Sequence, residues 1–172
     1  MGFLKKFTKQ EISWMMYDWA NRAHSVIVVT ILPIFFATVA GYTADRVSSM
    51  PTWGFATSLA MAIVALSAPF LGVFGDIRGM RKKLFTAFML IGVVSVAGLS
   101  CTPCMDFTAS PDAAGRGAAI VLVLYITSTI GVDASCIYYD AFLTDVTTED
   151  RMDSVSTLGY GLGYIGGSTI PL

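Results

Sequence analysis

An acid, an amide and a guanidinium recur at helical spacing in YDWANRAHSVIVVTILPIFF, residues 17–36. At about 100° per residue, Asp18, Asn21, Arg22 and Ser25 share one helical face about 100° wide, and His24 lies off it. Asp18 and Arg22 are spaced four apart, so carboxylate and guanidinium can partly neutralise each other. The chemistry open to such a face is reversible binding: Asp18 can take an amine, Arg22 a carboxylate. Nothing adds bond-breaking to it. No nucleophile–base constellation and no phosphate-cradling glycine loop is present, so no enzyme is expected, and neither is a cofactor or a metal. A second acid, Asp133, lies deep within IVLVLYITSTIGVDASCIYYDAFL, with Thr129, Cys136 and Asp140 at helical spacing around it. Acids inside apolar helices are candidates for solute pathways or for coupling to a proton or cation.

These side chains matter because of what surrounds them. The chain has 172 residues, 55% hydrophobic and only 13% charged, with mean hydropathy +0.67. A soluble domain carries about 25% charged residues, so the expected solvent is a lipid bilayer. The formal net charge is −1, which argues against a nucleic-acid partner. A charge at mid-membrane costs about 2.5–3.5 kcal/mol. Two readings of the 17–25 face follow: snorkelling at the headgroups, or lining a pathway in protein or water.

A crossing helix needs roughly 20 mostly apolar residues. Five segments meet or approach that, about 14–40, 53–74, 84–101, 117–143 and 154–172. The expected fold is an all-α polytopic membrane protein with no soluble domain. The runs lack the alternation of a barrel. Lys5, Lys6 and Lys9 precede the first span, and Arg78, Arg81, Lys82 and Lys83 lie between the second and third. Arg151 falls between the fourth and fifth, while only Arg46 and Arg116 fall on the opposite side. The positive-inside rule then puts the N-terminus and the 76–83 loop in the cytoplasm. Cys101 and Cys104 form a lone CxxC, read as a local disulfide or two free thiols.

The loop GVFGDIRGMRKK carries Gly72, Asp76, Gly79, Arg81 and Lys82 in ordered spacing. It resembles the loop signature of the major facilitator superfamily, with Ile77 and Met80 where that loop is commonly basic. Together with YDWAN and YYDAFLTDVTTEDRMDSVSTLGYGLGYIGG, it resembles the vacuole-effluxer (autophagy-related amino-acid permease-like) family and its bacterial relatives. The resemblance covers nearly the whole chain. It implies the N-terminal part of a twelve-span transporter, an incomplete six-helix bundle, with the C-terminal half of the transporter as the missing partner. It further implies alternating access, with amino acids or similar small polar solutes as substrate and, for a bacterial chain, the inner membrane. Asp18, Asn21, Arg22, Asp133 and Asp140 would line the pathway. Gly72, Asp76, Gly79, Arg81 and Lys82 would form a conformational latch. In the fifth segment Gly159, Gly163 and Gly167 repeat every four residues, a smooth face for close helix packing against a neighbour that could lie past the last residue. The alternative class is a non-transporting membrane scaffold or sensor module.

Overall fold

The computed structural model describes residues 6–43 and 49–169. Lys5 and Arg46, counted above for orientation, and the last three residues of the expected fifth span lie outside that range. Among the described residues the fold is all-α, 89% helix, with no strand. In chain order the helices are α1 (Lys9–Ala40), α2 (Ser49–Asp76), α3 (Met80–Cys101), α4 (Pro111–Ala141), a one-turn α5 (Leu143–Val146) and α6 (Glu149–Thr169). A short 3₁₀ turn, Thr102–Cys104, follows α3.

Five spans were expected, but four helices, α1 to α4, are long and apolar enough to cross a bilayer among the described residues. The remaining segment, α6, opens with Glu149, Asp150, Arg151 and Asp153; about 24 Å of it from Ser154 onward is described, at 1.5 Å per residue, and the last three residues of the expected fifth span lie outside the described range. By contrast α1, with 32 residues, is about 48 Å long, so one end must stand outside the hydrocarbon.

The chain divides into two compact units. The middle unit, residues 31–138, contains the end of α1, all of α2 and α3, and most of α4. Trp53 stacks on Tyr125 at 4.1 Å and meets Phe36 at 5.6 Å. The Thr57 hydroxyl donates to the Trp53 carbonyl at 3.0 Å, and its oxygen is 2.8 Å from the Tyr125 hydroxyl. The Tyr138 hydroxyl donates to the Leu71 carbonyl at 3.0 Å. These three hydroxyls thus find protein partners where lipid offers none, whereas the buried Thr129 hydroxyl has no hydrogen-bond partner among the described residues. Helices α3 and α4 touch backbone to backbone: a Cβ at Gly131 would lie 2.5 Å from the Gly92 nitrogen and 2.9 Å from the Phe88 carbonyl oxygen. In the α3–α4 connection, Asp106 accepts from the Thr108 hydroxyl and backbone N–H at 2.8 and 2.9 Å. Those bonds hold its carboxyl below the usual range.

The terminal unit holds the described residues up to 30 and from 139 onward. Here the start of α1 packs on α6, and the glycine repeat finds its neighbour inside the chain. A Cβ on Gly159 would lie 2.5 Å from the Trp14 ring, and one on Gly167 would lie 3.1 Å from Arg22 Cβ. One on Gly163 would collide with the Asp18 carboxylate. Gly161, off this face, has nothing within 4 Å.

Candidate functional site

The terminal unit carries the polar face of α1. Asp18 is 5% exposed, although it sits in a membrane-grade helix. Its Oδ1 is 3.6 Å from Arg22 Nε, an ion pair one turn apart. Its Oδ2 is buried without a hydrogen-bond partner among the described residues and faces Gly163. The Arg22 side chain is about one-third exposed, and its guanidinium lies 5.1 Å over the Tyr164 ring, a cation–π arrangement. Asn21 and His24 are half-buried, and Ser25 is exposed. At the end of α4, Asp140 is exposed and accepts a long hydrogen bond, 3.4 Å, from the Tyr160 hydroxyl. Under this face lies an aromatic floor: Tyr139 stacks on Trp14 at 4.5 Å and meets Tyr17 at 4.8 Å. The Trp14 indole N–H donates to the Tyr139 carbonyl at 3.0 Å, so the floor is fixed both by packing and by a hydrogen bond.

Between α1 and α6 runs a trough of about 420 Å³, lined by Arg22, Ser25, Val29, Thr30, Gly163 and Tyr164 among others. Small-molecule sites span about 300–1,000 Å³. The trough therefore offers a guanidinium and three hydroxyl-bearing side chains, Ser25, Thr30 and Tyr164, on an otherwise apolar wall, with Asp18 one residue contact behind it through Gly163. Asp18, Arg22, Asp140 and Tyr160 also act on one another electrostatically. Two acids and one base leave this face one negative charge in excess when all are ionised.

Asp133 belongs to the middle unit. It is half-buried, one turn after the buried Thr129. No hydrogen bond or ion pair reaches its carboxylate among the described residues. In the α2–α3 loop, Gly79 adopts φ +81° as the residue before α3, a conformation that glycine tolerates and other L-residues resist. Asp76 is 82% exposed and 3.8 Å from Arg81, and Lys82 is exposed. A Cβ at Gly72 would meet nothing within 4 Å, whereas one at Gly75 would lie 2.8 Å from the Tyr138 ring. The close approach in this segment is therefore at Gly75.

One cluster escaped the sequence reading. The Thr8 N–H donates to Glu11 Oε2 at 2.7 Å, and the Glu11 N–H donates to Thr8 Oγ1 at 3.2 Å. This is a capping box at the start of α1, and Thr-x-x-Glu at 8–11 was its readable signal. Glu11 does more than cap. Its side chain, 2% exposed, also accepts from the Thr147 hydroxyl at 2.7 Å and from Arg151 Nη2 at 3.1 Å. Arg151 in turn donates to the Lys6 carbonyl at 2.8 Å and lies over the Phe7 ring. The start of α1 is thereby tied to the connection that precedes α6. Cys101 and Cys104 are exposed free thiols. Among the described residues no group of three or more His, Cys, Asp or Glu side chains is arranged to hold a metal.

The chain is similar to a protein of Bacillus subtilis (strain 168) described as the uncharacterized MFS-type transporter YxiO, with 39% identity over 170 residues. The alignment takes in 98% of this chain and 37% of that relative, so the chain spans well under half the length of the protein it matches. No family model matches the chain, and no solved structure does. Identity of 39% over nearly the whole chain to a protein described as an MFS-type transporter, together with four long apolar helices, supports the major facilitator superfamily and a multi-pass integral membrane protein.

Proposed function

We propose, for a chain whose whole length aligns with a major-facilitator-type transporter, that it is the N-terminal bundle of a secondary active transporter. The solute is small and polar, with amino acids the class. The resemblance to the vacuole-effluxer family motivates that class, and the side chains give it a chemistry. One observation carries the reading: a buried carboxylate paired with a half-exposed guanidinium beside a trough in an apolar helix. Arg22 takes the solute carboxylate, and Asp18 balances Arg22 or takes the amine. Asn21 and Asp140 add polar contacts on the same unit. Asp133 is the second intramembrane acid, assigned to coupling by a proton or cation. Movement is by alternating access, with a second bundle supplying the opposite wall. In that cycle Gly72, Asp76, Gly79, Arg81 and Lys82 act as a latch at the end of the bundle. The N-terminus is cytoplasmic, and in a bacterium the membrane is the plasma membrane.

The test is counterflow of labelled amino acids in liposomes containing the intact transporter. The expected result is saturable flux. Arg22→Gln should raise the half-saturating concentration roughly 10–100-fold, the loss of a charged hydrogen bond, with protein yield and elution unchanged. Flux indifferent to both Arg22→Gln and Asp18→Asn would overturn the assignment.

A further inference from the structure

A different face of the molecule carries a second kind of site. On α3, Gly79, Lys82, Lys83, Thr86, Ala87 and Leu90 line a trough of about 580 Å³. Their spacing, 0, 3, 4, 7, 8 and 11, is one helical stripe. From Lys82 to Leu90 the stripe descends about 12 Å along the axis. Its top is two ammonium groups, its middle a hydroxyl, and its floor an alanine and a leucine. Lys82, Lys83, Thr86, Ala87 and Leu90 are all exposed, whereas Gly92, Ser95 and Leu99, on another side of α3, are buried. Beyond Leu90 the outward surface continues as Val93, 56% exposed, and Val94, 68% exposed.

Charge decides the occupant. The nearby acid, Asp76, is engaged by Arg81, and neither lysine has a carboxylate partner among the described residues. The first turn of α3 has no side-chain cap, so its N–H groups add positive potential at the same level. A free phosphate would satisfy only the rim and leave the apolar floor unused. A neutral lipid would use only the floor. We propose that this trough is a site for an anionic phospholipid, its phosphate between Lys82 and Lys83 and one acyl chain along Ala87, Leu90 and Val94. Ala87 is the specificity element, because its small side chain makes the dip in which the chain lies. Basic residues at a bilayer surface attract anionic lipid by about five-fold each.

The experiment uses the whole chain in mild detergent, with phosphatidylglycerol, phosphatidylcholine and inorganic phosphate as probes and retained lipid counted by native mass spectrometry. Phosphatidylglycerol should be retained over phosphatidylcholine, and inorganic phosphate should fail to displace it. Lys82→Gln and Lys83→Gln should each weaken retention about five-fold. Arg78→Gln, in the same loop but outside the trough, should weaken it less than about two-fold. Ala87→Trp keeps every charge and fills the dip, so it should also abolish the preference. Four results would each overturn the site: equal retention of both lipids, displacement by phosphate, an Arg78→Gln effect as large as the lysine effects, or an Ala87→Trp chain that still prefers phosphatidylglycerol.

Discussion

At the scale of single residues, the closest contact in the candidate site is an absence of atoms. Asp18 can be buried beside α6 only because position 163 has no Cβ. Gly163→Ala forces a methyl group into the carboxylate and against Arg22 Cγ, 3.1 Å away. Overpacking of this kind costs about 1–3 kcal/mol. Gly161→Ala, on the same helix with open space around it, should gain up to about 1 kcal/mol from helix propensity. Thermal unfolding of the two variants in detergent should therefore move in opposite directions. Equal shifts would mean that Asp18 does not depend on the bare backbone at 163. The four-residue glycine repeat was legible in the sequence, as was the i,i+4 pair. What the repeat packs against was not, because small-residue periodicity says how close a neighbour can come without saying which helix it is.

At the scale of elements, the start of α1 is held by a network with unequal partners. Glu11 is almost fully buried and Arg151 is more than one-third exposed. Breaking a buried pair costs about 3–5 kcal/mol when a charge is left uncompensated, and exposure of one partner reduces that. Arg151→Ala leaves the buried carboxylate without its cation, so it should cost about 2–3 kcal/mol. Glu11→Gln leaves a guanidinium that water can solvate and keeps an amide oxygen to accept from the Thr8 N–H or the Thr147 hydroxyl, so it should cost less. Unfolding midpoints of the two variants measure the order, and a larger loss for Glu11→Gln would contradict it. The long helices were readable among the described residues because long apolar runs between charged turns leave few alternatives, whereas the one-turn α5 and the 3₁₀ turn at Thr102–Cys104 carry no such run. The expected fifth span begins after the four charges at 149–153, and its last three residues lie outside the described range.

At the scale of the whole molecule, sidedness follows from one helix. With 22 residues, α3 is about 33 Å long, enough to cross the roughly 30 Å core with its ends in opposite headgroup regions. Arg81, Lys82 and Lys83 sit in its first turns, with Arg78 just before them. Cys101 and Cys104 sit at its other end, where 101–110 has no basic residue. Inverting α3 would carry four cations across the bilayer, and each costs about 2.5–3.5 kcal/mol at mid-membrane. By the positive-inside rule the expected orientation has the basic end cytoplasmic and the thiol end external. Both thiols are exposed, so a membrane-impermeant maleimide should label them in intact cells. A Cys101→Ser/Cys104→Ser chain should lose that label, which excludes Cys136 as its source. In that background, Arg78→Cys should react only after permeabilisation. Labelling of the 78 position in intact cells, with the 101 and 104 thiols silent until permeabilisation, would invert the topology. Arg22 would then have to be reconsidered, because the end of α1 that carries it would face the outside.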